Sequence, residues 1–342
     1  MDVRSRVADP VTVVMYHYVR PLVRSRYPDI KGLEAELFRE QIRYLKANYT
    51  IVSMGDFLSA RDAGEALPPR ACLLTFDDGY SDHYAYAFPI MMDEGVTGAF
   101  YAPRSVVLAR QVLEVNKTHF ILASEPDKAK LETELDRLVE GARDRFDLPT
   151  TDALKAEFRQ ANRFDPAEVI YVKRLLQHAL PDALRSEIAA ELFARYVSAD
   201  EKAFAEELYI SIEQGRVMAA CGMHFGGHGD RHLWHSRLDE AGQRAEIDGA
   251  DELLDLIGVP SAGRTYCYPY GDYNETTLAL LEERGYRAAF TAKVGLADRA
   301  SEAPYRLSRL DTNDLPKQAD AEPNGWTRLA AGAHPQAIAG KI

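Results

Sequence analysis

The chain has 342 residues, 46% of them hydrophobic, which is enough for one large α/β domain with a sizeable core plus an insertion. A net charge of −12 and a pI near 5.3 argue against nucleic acid and anionic membrane surfaces as partners. No run of 18 apolar residues occurs, Met1 to Arg6 lead into no signal-like apolar stretch, and Cys72, Cys221 and Cys267 at unrelated spacings fit free thiols in a reducing cytosol. The expectation is a cytoplasmic protein without a transmembrane segment.

In chain order, Val11 to Tyr16 reads as a strand, residues 34–47 as an amphipathic helix, Tyr49 to Val52 as a strand and Met54 onward as a helix. Ala71 to Leu74, entered after Pro68-Pro69, reads as a buried parallel strand, followed by a helix over 82–94 and a strand over Thr97 to Tyr101. Between about 116 and 217 the texture changes. Stretches at 128–145, 152–163, 166–179, 181–197 and 200–215 carry helical spacing and start signals, so this span reads as an all-helical insertion. Strands resume near 221–225, 264–268, 288–291 and 305–308, with helices over 236–257 and 275–284 stopped by Gly258 and Gly285. The resulting boundaries are 1–112 and 218–315 for the two parts of the α/β domain, 113–217 for the insertion and 316–342 for a C-terminal tail of linker composition.

Two adjacent carboxylates, Asp77 and Asp78, end the apolar strand in Thr75-Phe76-Asp77-Asp78-Gly79-Tyr80. The C-terminal end of a parallel strand is where catalytic groups sit in α/β folds, and such a pair can divide metal binding from proton transfer. Four of the nine histidines, His224, His228, His232 and His235, fall within a dozen residues. The i, i+4 spacing of His228 and His232 would stack both rings on one face of a helical turn, within reach of one ion. Alone, that spacing also fits a capped helix with solvated histidines; beside the paired acids the metal reading prevails. One carboxylate and two imidazoles leave positions open for water, as a catalytic site requires.

With these residues the chain resembles the polysaccharide deacetylases, the NodB-homology family of carbohydrate esterases (family 4). TFDDGY is similar to the family's first motif, His228 to His232 followed by Leu238-Asp239-Glu240 to the second, and Tyr268-Pro269-Tyr270-Gly271-Asp272-Tyr273-Asn274 to the third in its YPYG form. Val14-Met15-Tyr16-His17, Phe38 to Leu45 and Tyr305 to Arg309 also look like family segments, so the likeness spans about 11–105 and 218–312. It implies a distorted (β/α)7-type barrel interrupted by the helical insertion. It also implies Asp77 as catalytic base, Asp78, His228 and His232 as ligands of one divalent ion, and the backbone N–H of Tyr270 as oxyanion donor. Zinc is the first expectation for the ion, with cobalt, nickel or manganese as alternatives. Tyr268 and Tyr270 would wall the acyl pocket.

Some positions depart from the pattern. Cys267 stands where many relatives carry an arginine, so the ion pair that orients the base is expected to be missing. No late histidine suits the general acid, since His334 sits in coil near the terminus. His17 and His235 are better placed to enter the site, with a hydrogen-bonded spacer as the bland reading of either. Arg309 beside Asp311 reads as a rim salt bridge, with orientation of an active-site acid as the alternative. Lys117 and His119 either contact an anionic substrate group or belong to a capped helix start. Arg20, Arg24, Arg26, Tyr27 and Lys31 form either a cationic mouth or a solvated cluster, Asp82 and His83 face along the next helix, and Trp234 is a sugar platform or hydrophobic cover.

The function these features imply is metal-dependent removal of an N-acyl group, acetyl first, from an amino sugar or glycan precursor. Alternatives are a C–N hydrolase acting on a non-sugar amide or formyl group and an inactive carbohydrate-binding relative. The insertion reads as a lid or side wall, or as the contact of a homodimer.

Overall fold

The structure, a computed structural model, describes residues 10–162, 165–299 and 302–333. Met1 to Arg6 and His334 lie outside the described residues. In chain order the first elements are β1 (Pro10–Tyr16), β2 (Val19–Arg20), β3 (Leu33–Glu34), α1 (Ala35–Asn48), β4 (Thr50–Ile51), α2 (Met54–Ala63), β5 (Ala71–Asp77), α3 (Phe88–Glu94), β6 (Ala99–Ala102) and α4 (Arg104–Leu108). Helices α5 (Glu114–Ser124), α6 (Lys128–Gly141), α7 (Thr151–Phe158), α8 (Ala167–Arg174), α9 (Asp182–Tyr196) and α10 (Glu201–Leu208) follow. The chain then runs through α11 (Ile212–Ala220), β7 (His224–Gly227), α12 (Glu240–Ile257), β8 (Thr265–Cys267), α13 (Glu275–Glu283), β9 (Ala288–Val294), β10 (Ala297–Asp298), β11 (Leu307–Asp311) and α14 (Gly325–Ala330).

Seven strands, β1, β5, β6, β7, β8, β9 and β11, pair in parallel and close on themselves because β1 bonds both β11 and β5. Strand β4 flanks β5, and β10 joins β1 antiparallel. Every residue of β5 is buried, as a strand covered on both faces must be, which is why it opens with the continuous apolar run Ala71 to Leu74. Alternate residues from six of the seven strands meet in one cluster inside the ring, including Val13, Leu73, Ala99, Tyr101, Cys267, Phe290 and Leu307. Asp77 shares the parity of Leu73, and Arg309 that of Leu307, so both belong to the inward-facing rows. On the outer face Tyr266, Tyr268 and Ala289 pack against Ile247 and Ala250 of α12 and Leu280 and Leu281 of α13.

The barrel unit comprises the described residues of Met1–Pro21, Gly32–Arg110 and Glu206–Ile342, and a second compact unit comprises those of Leu22–Lys31 and Gln111–Ala205. The second unit is helical and built around Tyr27, Phe120, Phe193 and Phe204, whose rings meet edge to face at 4.9 to 6.1 Å. Lys117 and His119 lie inside α5, and Lys117 is buried against Glu201 at 3.0 Å. Loop cations are paired individually: Lys31 with Asp165 in the helical unit, Arg20 with the buried Asp82 in the barrel unit.

Three expectations about elements are corrected. The single helix over 200–215 is two helices, because Tyr209 leaves the helical path to bridge Tyr80, and Ser211 then starts α11 with a capping box to Gln214. The helix persists to Ala220, so the strand expected from Cys221 begins only at His224. The segment of linker composition after Leu315 contains α14, where Trp326 is buried and Thr327 Oγ1 meets the hydroxyls of Tyr44 (2.8 Å) and Tyr49 (2.9 Å). Among the described residues no helix is long and apolar enough to cross a membrane.

Candidate active site

Strand β5 ends at Asp77, and the chain then turns sharply through Asp78 (φ 73°) and Gly79 (φ 68°). A Cβ on Gly79 would lie 2.5 Å from that of Ala102, so only glycine permits this turn against β6. The turn leaves Asp78 at the barrel mouth. His228 follows β7, and His232 also adopts a left-handed backbone, φ 60°. The two rings meet with centroids 4.9 Å apart, and each Nε2 lies 3.4 Å from Asp78 Oδ1. The pair is presented by a loop, with Gly229 at φ 76°, and not by the helical turn expected from the spacing. Glycine after His228 is what denies the helix.

The three side chains are buried, and one ligand atom from each lies within 4.8 Å of the others. Among the described residues Asp78 Oδ1 has no hydrogen-bond partner, whereas Oδ2 accepts from Tyr80 Oη at 2.6 Å. His228 Nδ1 donates to the Cys267 carbonyl at 2.7 Å, which turns the lone pair of Nε2 toward Asp78. A buried carboxylate oxygen left bare beside two imidazole nitrogens fits a divalent cation, because an unpaired buried charge is otherwise costly. Burial pushes His232 down to about 3, keeping it neutral as a ligand must be. Burial also disfavours charge on His228, but Cys267 and the Asp78 carboxylate outweigh it and hold that ring above its ordinary value. Burial alone would raise Asp78, yet His228 and His232 keep it well below the usual carboxylate range.

Asp77 is bound bidentately by Arg309, with Nη1 3.0 Å from Oδ1 and Nη2 2.8 Å from Oδ2. Arg309 is fixed in turn by donation to the Thr291 carbonyl at 2.8 Å and to Thr75 Oγ1 at 3.2 Å. Burial would raise the Asp77 carboxyl, but the guanidinium dominates and brings it to about 2. Both readings of this region made from sequence are therefore corrected. The orienting ion pair is present although Cys267 replaces the usual arginine, and Arg309 is no rim residue, being 2% exposed. Cys267 makes its own contact, Sγ lying 3.4 Å from Asp77 Oδ2.

Tyr270 completes one side of the mouth from the Pro269–Gly271 turn, again with a left-handed backbone (φ 58°). Its ring packs on His232 at 4.5 Å and stacks on half-buried Trp234 at 4.3 Å and 4°, with Arg237 beyond the indole. Of the five non-glycine residues with positive φ among the described residues, Asp78, His232 and Tyr270 all stand here. Backbone strain of this kind gathers where function fixes a side chain. Asp272 ties the same turn to the Trp234 segment by accepting from Ser236 N (2.7 Å) and Oγ (2.8 Å).

His17 follows β1 half-buried, its carbonyl accepting from His83 Nε2 at 2.8 Å, and its ring contributes to the field at Asp77, Asp78 and His232. His235 does not enter the mouth. It is fully buried, with Nε2 2.8 Å from Tyr266 Oη, and burial lowers it to about 4. Tyr80 was missed in the sequence although it closes the TFDDGY run; no spacing rule ties a tyrosine to a carboxylate two residues before it.

A sequence model of the family described as "Polysaccharide deacetylase" matches residues 193–289, a span holding His228, His232 and Tyr270. Over that span the chain is similar to the polysaccharide deacetylases. A 61-residue stretch is 44% identical to the poly-beta-1,6-N-acetyl-D-glucosamine N-deacetylase of Escherichia coli (strain K12), covering 18% of this chain and only 9% of that relative. Two solved structures are similar over most of their length. The Streptococcus pyogenes deacetylase PplD matches 95% of this chain and 98% of its own with a TM-score of 0.54 at 16% identity. IcaB from Ammonifex degensii matches 95% and 97% with a TM-score of 0.54 at 19% identity. At those identities the likeness is one of fold, and the deacetylase barrel is the fold of this chain.

Proposed function

We propose that this chain removes the N-acetyl group from an N-acetylated glucosamine unit of a glycan or glycan precursor, using one divalent ion. The observation that carries the reading is the bare Asp78 Oδ1 between His228 and His232, with the Arg309-bound Asp77 as the next residue. The sugar follows from the E. coli relative's stretch of 44% identity. One carboxylate and two imidazoles suit zinc, and also cobalt or nickel. Bound there, such an ion supplies Lewis acidity to the attacking water and to the amide carbonyl.

Asp77 receives the proton of the water that attacks the carbonyl carbon. Arg309 keeps that carboxylate ionised and fixes its direction, which costs basicity and gains orientation. The Tyr270 N–H donates to the oxygen on which negative charge develops. His17 gives a proton to the sugar nitrogen as the C–N bond breaks, releasing acetate and a free amine. Trp234, stacked on Tyr270, offers a ring face to the sugar.

The test is amine release from N-acetylglucosamine oligomers by protein stripped with chelator and then reloaded with zinc. Release that returns with the ion supports the reading. A loaded protein inactive on these oligomers, yet active on formyl or non-sugar amides, would transfer it to a different C–N hydrolase.

A further inference from the structure

The loop that carries both histidines is held by a carboxylate outside the cluster. Glu246, on α12, is fully buried. Its Oε2 accepts the backbone N–H groups of Asp230 (3.1 Å) and Arg231 (3.0 Å), and its Oε1 accepts from Arg231 Nε at 3.2 Å. Those two amides lie midway between the ligands. Both amides of this turn are paired through the one buried carboxylate, so the loop conformation depends on this acceptor.

The fit is close on every side. A Cβ on Gly229 would come within 2.8 Å of Glu246 Oε2, and one on Gly249, also of α12, within 2.6 Å of the Asp230 Cβ. From the opposite side α4 fixes the loop's carbonyls: Arg104 N donates to Gly229 O (3.2 Å) and Ser105 N to Asp230 O (2.9 Å). The loop's amides thus face α12 and its carbonyls α4. His232 reaches its left-handed conformation directly after this clamp.

We propose that Glu246 is a positioning residue for the divalent ion, setting His232 and His228 in register with Asp78 through the backbone of residues 230 and 231. This rests on the metal reading above. Groups that orient ligands without touching the ion characteristically change its affinity about 10- to 100-fold when removed.

The experiment measures zinc affinity of the full chain by competition with a chromophoric chelator, alongside the thermal midpoint of the stripped protein. Glu246→Ala should bind zinc about 10- to 100-fold more weakly. Glu246→Gln should lie nearer wild type, since its amide oxygen still accepts both N–H groups. Unchanged affinity in Glu246→Ala with a lowered midpoint would make Glu246 merely structural and overturn the proposal. Should Glu246→Ala not fold, Gly229→Ala presses on the same carboxylate from the loop side, and wild-type affinity there overturns it equally. Wild-type protein that holds no zinc would instead defeat the metal reading itself.

Discussion

Arg309 and Asp77 form a bidentate ion pair inside the barrel although 232 residues separate them. Both side chains are almost completely buried, at 2% and 4% exposure, so the pair is unscreened by solvent. Each partner makes the other's burial tolerable, and removing one leaves a desolvated charge.

Arg309→Met should therefore lower stability by about 3 to 5 kcal/mol at neutral pH. The sign of the pH effect follows from the direction of the shift. Asp77 is depressed to about 2 in the folded chain, so its stabilisation is present above its ordinary value of 3.8 and is lost as pH falls toward 2. Without the guanidinium, burial is opposed only by the His228 and His17 rings, so the carboxyl rises and the acid limb of kcat/KM should move to higher pH. A variant whose acid limb stays in place would show that Arg309 does not govern Asp77.

The two acids should separate by readout. Asp77→Asn is expected to keep the ion and lose turnover by about 10²- to 10⁴-fold, the range of a general base. Asp78→Asn removes a ligand and should lose the ion first. Metal content measured beside kcat distinguishes the two, and equal metal loss in both variants would make the assignment of roles wrong.

How much of this was legible in the sequence depends on range. The barrel was readable because parallel strands buried on both faces carry continuous apolar runs, as Ala71 to Leu74 is. The grouping of Asp78, His228 and His232 was readable from residue type and order. The loop that delivers the histidines was misread as a helical turn although Gly229, between them, carried the contrary signal. The Arg309 pair was hidden because it depends on ring closure, which places β11 against β1 and leaves a side chain of β11 to reach that of β5. Its one local trace was parity: in Leu307-Ser308-Arg309 the arginine shares the inward row with leucine. The break at Tyr209 is set by a tertiary bridge to Tyr80 and not by glycine or proline, and its one local trace was the Ser211-to-Gln214 capping box that starts the next helix.

His17 as proton donor makes a prediction about leaving groups. His17→Gln should slow amide hydrolysis by about 10²- to 10⁴-fold, since the amine must be protonated to depart. An acetyl ester with a phenolate leaving group needs no such proton, so its hydrolysis should be far less affected. Equal losses on both substrates would assign His17 to structure or substrate binding.

The C-terminal helix α14 should contribute to stability and not to chemistry. Thr327 Oγ1 is the shared partner of the Tyr44 and Tyr49 hydroxyls, and the Thr327 amide is capped by Asn324 Oδ1 at 3.1 Å. Thr327→Val preserves shape while leaving both buried hydroxyls without that oxygen, a loss of about 1 to 3 kcal/mol for each group left unsatisfied. Unfolding in denaturant should show a lower midpoint with an unchanged slope, because packing is kept while hydrogen bonds are lost. Zinc affinity and KM should stay at wild-type values. If the midpoint does not move, the helix is held by Trp326 and its neighbours alone, and the hydroxyl network is incidental.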